Sequence, residues 1–185
     1  VTMFKKFDPT KDVNGSQQLK SSVQRGIRAK LIEEYPPLAT VIEEIFPKKE
    51  NFKVIKCKDH VELLVSEDGT VQFIKHRDLP YIPSLRLLHK YPFILPHQQV
   101  DTGAIRPVLN GSHIMAPGLK SPGAKLAENV KKDQVVAVMA QGMEHAMAIG
   151  QQKFSSSDIL TQSTGTAIDN VHYLNDGLWR LPKVC

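Results

Sequence analysis

The sequence predicts an α+β protein of two small domains, with N-terminal helices on a small antiparallel sheet followed by a C-terminal β-barrel. Three observations support this prediction. Apolar residues recur at helical spacing within residues 14–45. Strand-like runs separated by short turns occupy residues 52–74. The second half holds most of the glycines and has short apolar runs between glycine and proline turns, which is typical of a small barrel.

The first predicted helix covers residues 14–32, and Asn14 or Ser16 is expected to cap it. Its apolar residues recur every four positions: Leu19, Val23, Ile27 and Leu31. Pro36 and Pro37 end this helix, because proline cannot continue the backbone hydrogen bonding. A second short helix is expected over residues 38–45.

The strands of the predicted N-terminal sheet are residues 52–57, 61–65 and 71–74. Gly69 marks a hairpin turn between the last two of them. A short helix over residues 85–90 should end at Pro92, where we place the domain boundary. The predicted domains are therefore residues 1–92 and 93–185.

The predicted barrel contains two strands, residues 134–140 and 146–151, which flank a turn at Gly142.

Composition excludes several classes of protein. The chain of 185 residues is 41% apolar and 23% charged, as in ordinary globular proteins. No apolar run approaches the roughly 18 residues of a membrane-spanning helix, and the first residues lack the apolar segment of a secretory signal. Only two cysteines occur, Cys57 and Cys185, so reduced thiols are expected. We predict a cytoplasmic protein that does not enter membranes.

The net charge favours a polyanionic partner, whereas the sequence motifs indicate no catalytic, metal-binding or cofactor-binding site. The net charge is +5 and the pI is near 9.2, and basic residues cluster along the chain. Cys57 and His60 have the spacing of half a zinc site, but no second pair of ligands completes it. No catalytic or nucleotide-binding motif is present. We therefore predict no catalytic residues, no metal and no cofactor.

A glycine-rich segment in the second half carries the clearest signal. It reads VDTGAI at residues 100–105 and IMAPGL at residues 114–119, and apolar strands follow near residues 133–138 and 146–150. This order resembles the opening of PUA domains, a family of small RNA-binding barrels. Asp101 is expected to cap the helix that follows it, and Pro117-Gly118 to form a turn.

The similarity extends beyond this domain to the malignant T-cell-amplified sequence family. It rests on the strings SLRLLHKYP at 84–92, SPGAKL at 121–126 and HYLNDGLW at 172–179. The resemblance implies an RNA-binding translation factor without catalytic activity, which acts on the small ribosomal subunit and its RNA as a heterodimer with density-regulated protein. It implies roles in tRNA release after termination, in reinitiation and in initiation on particular messages. Two alternatives remain, a targeting subunit of an RNA-modifying enzyme and a protein-interaction adaptor.

Carried onto this sequence, the resemblance implies an RNA-facing surface in the PUA domain. Its predicted members are Gly103, Ala104, Arg106, Pro117, Gly118, Lys120, Lys125 and His172. The glycines also have a conformational explanation, because glycine suits turns and close packing. Ser84 and Ser121 are candidate phosphorylation sites, and a phosphate on Ser121 should weaken RNA binding.

One position departs from the family pattern. Pro107 stands where the family usually has an aromatic residue, inside the helix that follows Asp101. Proline beyond the first turn of a helix removes a hydrogen bond, so we expect the helix to end early or bend there. An exposed aromatic side chain suits a protein contact, so its loss bears on partner affinity rather than on the fold.

Overall fold

The computed structural model describes residues 4–181 and 183–184. The chain forms two compact units. One contains residues 8–87 with the described residues from Leu181 onward, and the other contains residues 4–7 with 88–180. The proposed domain limits of 1–92 and 93–185 stay a prediction. Within the described ranges, no helix is long and apolar enough to cross a bilayer.

The unit built on residues 8–87 is a five-stranded antiparallel sheet with helices. Strands β1 to β5 are neighbours in chain order. Its elements are α1 (Pro9–Asp12), β1 (Val13–Gln18), α2 (Ser21–Glu34), α3 (Ile42–Ile45), β2 (Lys53–Cys57), β3 (Val61–Val65), β4 (Val71–His76) and β5 (Ile82–Pro83).

The three predicted strands of this sheet are confirmed, because their apolar side chains meet across it. Ile55 lies opposite Leu63, and Leu63 lies opposite Ile74. All three side chains are fully buried, and pairing of large aliphatic residues across neighbouring strands stabilises such a sheet. The helix α4 (Leu85–Lys90) follows and was also predicted.

The predicted start of the first helix is wrong. Residues 13–18 form β1, which pairs antiparallel with β2, and α2 begins only at Ser21. The residue before α2 is Lys20, which makes no side-chain capping bond, so neither Asn14 nor Ser16 caps this helix. The amide of Leu19 donates to the carbonyl of Phe52 at 2.9 Å. Pairing with the sheet therefore overrides the helical spacing of the apolar residues.

The second unit contains a curled five-stranded sheet in the order β6-β8-β9-β10-β7, which confirms the predicted barrel. β6 and β8 are parallel, and the other pairs are antiparallel. Its elements are β6 (His97–Val100), α5 (Ile105–Leu109), β7 (Ile114–Met115), β8 (Val135–Ala140), β9 (Ala148–Gln152), α6 (Ser156–Thr161) and β10 (Thr166–Tyr173).

The core of this unit forms around the central strands. Val136 and Val138 of β8 are fully buried, as is Ala148 of β9. At Gly150 the neighbouring strand comes so near that an added Cβ would lie 2.5 Å from the carbonyl oxygen of Asp169. Only glycine fits this approach of β9 to β10.

Pro107 lies within a short helix that ends two residues later, at Leu109. A 3₁₀ turn spans Thr102–Ala104, and α5 begins afresh at Ile105. Pro107 is thus the third residue of α5, where the backbone N–H would have no partner within the helix. Its exposed ring therefore removes no hydrogen bond from α5.

Candidate nucleic-acid interface

Asp101 joins the two segments that carry half of the predicted RNA-binding residues. Its Oδ1 accepts a hydrogen bond from the amide of Ala104 at 3.0 Å, which closes the 3₁₀ turn. Its own amide donates to the carbonyl of Gly118 at 3.2 Å, and the hydroxyl of Ser121 donates to Oδ2. One aspartate therefore holds the turn and the loop at Ala116–Leu119 together. We call this assembly the Asp101 clamp: Asp101, Thr102–Ala104, Ala116–Leu119 and Ser121.

The two glycines of the clamp are not required by backbone strain. Neither Gly103 nor Gly118 has a positive φ. A Cβ added at Gly118 would lie 3.7 Å from that of Ala104, which is an ordinary contact. At Gly103 it would meet only Asp101 Oδ1, at 3.4 Å, and Gly103 is exposed. The turn therefore offers an open backbone surface that another molecule can approach.

Basic side chains lie in and next to the clamp segments. Lys120 directly follows the loop, Arg106 is in the first turn of α5, and both are exposed. The ammonium of Lys120 donates to the carbonyl of Gln162, just after α6. Within the described parts of the chain, neither residue forms a salt bridge with a carboxylate. Their charges therefore remain available for an anionic ligand.

Lys125 is held by β6, the strand that leads into Asp101. Its backbone exchanges two hydrogen bonds with Gln99, at 2.9 and 3.0 Å, and its side chain is exposed. The side-chain amide of Gln99 also donates to the carbonyl of Gly123 at 2.7 Å. Thus the strand that positions the clamp also positions Lys125.

Sequence reasoning missed the two glutamines that hold this segment. The side chain of Gln98 is buried, donates to Gln152 of β9 and accepts from the amide of Ala127 at 2.7 Å. Gln99 holds residues 123–125 through its hydrogen bonds to Gly123 and Lys125. A signal existed, because two consecutive glutamines beside an apolar strand need hydrogen-bond partners when they are buried.

His172 is not at this surface. Its side chain is 2% exposed, and its Nδ1 lies 2.6 Å from Asp176 Oδ2. The ring of Phe4 packs edge-on against it at 5.8 Å. The imidazole is a core group, so we leave it out of the RNA-binding surface that we propose below.

The two candidate phosphorylation sites differ in access. Ser84 is buried, and its hydroxyl oxygen accepts from the amide of Leu87 at 3.2 Å, in the first turn of α4. A kinase cannot reach it while this segment stays folded. Ser121 is half-buried, and its hydroxyl bonds to Asp101. Of the two, only Ser121 belongs to the clamp.

Cys57 and His60 do not come together as a metal site. Cys57 is buried, and burial raises the pKa of its thiol to about 11, which disfavours the thiolate that binds metals. His60 is exposed, with a positive φ of 61°. Among the residues that the structure describes, no group of three or more His, Cys, Asp or Glu side chains is arranged to hold a metal ion.

Two family models match the chain, one in each half. Residues 7–92 match the Pre-PUA-like domain, and residues 95–177 match the family described as elF2D, PUA domain.

Curated relatives match nearly the whole chain. A malignant T-cell-amplified sequence 1 homolog of Drosophila melanogaster is 52% identical over 182 residues, which are 98% of this chain and 100% of the relative. Malignant T-cell-amplified sequence 2 of Homo sapiens is 50% identical over 179 residues, which are 97% of this chain and 98% of the relative. The Dictyostelium discoideum homolog is 46% identical over 98% of this chain and 100% of its own length.

Solved structures share the fold. A hypothetical protein of Pyrococcus horikoshii has a TM-score of 0.73 and 23% identity, covering 91% of this chain and 99% of that one. A conserved PUA domain protein of Thermoplasma acidophilum has a TM-score of 0.64 and 20% identity, covering 90% and 98% of the two chains.

Proposed function

The chain belongs to the malignant T-cell-amplified sequence family, and we propose that it is a non-enzymatic, RNA-binding translation factor of the cytoplasm that acts on the small ribosomal subunit. It works as a heterodimer with density-regulated protein. Its steps are tRNA release after termination, reinitiation, and initiation on particular messages.

The Asp101 clamp is the observation that carries this proposal. It presents the exposed backbone of Gly103 beside the Pro117-Gly118 loop. Arg106, Lys120 and Lys125 supply positive charge around it. Cations without acidic partners suit phosphate oxygens, which are contacted whatever the base sequence. Such a surface recognises the shape of a folded RNA more than its sequence.

Binding to isolated small ribosomal subunits tests the proposal. The purified chain, with and without density-regulated protein, is titrated across a salt series. We expect affinity to fall steeply with salt, because phosphate contacts release counterions. The double variant Lys120→Glu, Lys125→Glu should bind more weakly, and the slope of log affinity against log salt should shrink by roughly one unit per lysine.

The matched control is Lys131→Glu, Lys132→Glu, which makes the same charge change at two exposed lysines of the same unit. We expect it to retain most of the affinity. If both double variants lost the same affinity for subunits, the loss would be explained by net charge alone, and the clamp would be rejected as the binding site. Binding that ignores salt would favour the protein-interaction adaptor.

A further inference from the structure

A small cavity opens in the unit of residues 88–180, where β6 begins. Its volume is about 280 Å³. That lies just below the range of about 300–1,000 Å³ that accepts drug-sized ligands, so it suits one ring-sized group. Its apolar lining includes Leu88 and Met139. The polar lining consists of His89, His97, Glu144 and His145.

His89 and His145 form an aromatic wall of the cavity. The ring centroids of His89 and His145 are 5.2 Å apart and their planes are inclined by 34°. Behind His89 lies Trp179, at 5.3 Å and 61°. His89 is held in place, because its Nε2 lies 2.7 Å from the carbonyl oxygen of Ala146. The side chain of His145 is 62% exposed, so a flat ring can stack on it.

The rim of the cavity includes hydrogen-bond acceptors. Nε2 of His97 lies 2.7 Å from the carbonyl oxygen of Pro92, which can only accept, so Nε2 carries the hydrogen. In the neutral imidazole Nδ1 is then an acceptor. The Glu144 carboxylate, 89% exposed, adds two further acceptor oxygens. The rim therefore suits a ligand that donates hydrogen bonds.

Charge argues against a phosphate in this cavity. None of its lining residues is a lysine or an arginine, and Glu144 is negative. A neutral, flat ring with N–H donors fits both the wall and the rim. Among nucleobases, cytosine, adenine and guanine carry an exocyclic amino group, and a carboxylate accepts from such a group. Uracil lacks one.

We propose that this cavity binds one unpaired nucleobase with an exocyclic amino group. The base would belong to the RNA strand whose phosphates meet the Asp101 clamp, so this inference rests on the proposed function. β6 links the two places, because His97 lines the cavity and Asp101 directly follows the strand. Four residues of extended strand span about 13 Å, so one RNA strand can reach both.

Trp179 provides the measurement. It is the only tryptophan of the chain, and its ring contacts His89, so its fluorescence reports on the cavity. The full chain is titrated with cytidine and uridine monophosphates and with short cytosine-rich and uracil-rich oligonucleotides, with correction for nucleotide absorbance. We expect a saturable change that is stronger for the cytosine ligands. His145→Ala should weaken their binding about tenfold, the size of one lost base stack.

Two further variants separate stacking from hydrogen bonding. His145→Phe retains an aromatic face and should restore most of the affinity. Glu144→Gln should reduce the preference for cytosine over uracil, whereas Glu128→Gln, which removes an exposed charge elsewhere in the same unit, should leave it unchanged. Circular dichroism checks that each variant is folded.

The outcomes distinguish the cavity from the clamp. Salt-dependent RNA binding that is the same in the wild type and His145→Ala overturns the nucleobase site and leaves the proposed function standing. Saturable cytidine binding that His145→Ala removes supports the site, even if the Lys120 and Lys125 variant shows that the clamp is not the phosphate surface. A loss confined to binding of the protein partner overturns the nucleobase site and identifies a protein-docking cavity.

Discussion

Asp101 and Asp176 make nearly the same hydrogen bonds in opposite surroundings. Each Oδ1 accepts from the amide three residues later, at 3.0 Å from Ala104 and at 2.8 Å from Trp179. The Oδ2 of Asp101 accepts from the half-buried Ser121, but that of Asp176 faces the buried ring of His172. The Asp176 side chain is fully buried. Burial, rather than the bonding pattern, thus separates a core cluster from a surface that a ligand can reach.

Asp68, in the unit of residues 8–87, makes similar hydrogen bonds to a hydroxyl and an amide, but at an exposed position. Its Oδ1 accepts from the hydroxyl of Ser66 and from the amide of Thr70, the latter at 3.1 Å. Its side chain is 60% exposed. The three aspartates form a series from buried to exposed, so the stability lost on replacement should follow that order.

The largest effect is expected for Asp176→Ala. It leaves His172 and the amides of Tyr173 and Trp179 without their buried partner. Breaking such a cluster typically lowers the free energy of unfolding by about 3–5 kcal/mol. Urea unfolding followed by Trp179 fluorescence measures this, with Glu128→Ala as the exposed control. A loss below about 1 kcal/mol, the level of one ordinary hydrogen bond, would remove the distinction drawn from burial.

Asp101→Ala should cost less stability but more binding. Loss of a capping side chain lowers the free energy of unfolding by roughly 0.5–2 kcal/mol. The turn and the loop at Ala116–Leu119 would no longer be joined, so binding to small ribosomal subunits should weaken. Asp101→Asn keeps an oxygen for the Ala104 amide and should retain part of both. A folded Asp101→Ala variant with unchanged subunit binding would argue that the clamp serves only the fold.

Substitutions at Ser121 test how charge next to Asp101 affects RNA binding by the clamp. Ser121→Asp places a second carboxylate against Asp101 and offsets the charge of Lys120, so RNA affinity should fall. Ser121→Ala removes only the hydrogen bond, worth about 1 kcal/mol, and should have a smaller effect on RNA binding. Subunit binding at fixed salt compares the two variants. Equal effects would mean that the hydrogen bond, not the charge, is what matters.

The smallest effect concerns Asp68 and depends on pH. The hydrogen bond from Ser66, followed by those from Thr70, lowers the pKa of Asp68 to about 2. The unfolded pKa is about 3.9, so this carboxylate stabilises the fold above that pH and loses its contribution as pH falls toward 2. Because the side chain is exposed, screening limits the gain to less than about 1 kcal/mol. Urea unfolding at pH 7 and pH 3 should show a smaller pH dependence for Asp68→Asn than for the wild type.

Several local features were readable from the residues alone. Strand-like runs separated by short turns predicted β2, β3 and β4, because such runs and turns can be recognised without knowing which distant residues they contact. The capping role of Asp101 was readable as well, since aspartate before a turn readily accepts an amide hydrogen bond. In contrast, the sequence predicts a helix at residues 14–18, where the structure has a strand, because pairing with β2 depends on residues some forty positions away.

The sequence by itself determined the α+β class, the family and the capping role of Asp101, because these depend on short-range spacing and on contiguous strings. Only the tertiary structure decided which of the predicted site residues share a surface. It placed Ser121 on Asp101 and buried His172 against Asp176 and Phe4. It also brought His89 to His145 across 56 positions of the chain. Such contacts arise when strands pair and a core closes, and no local pattern encodes which distant side chains then meet.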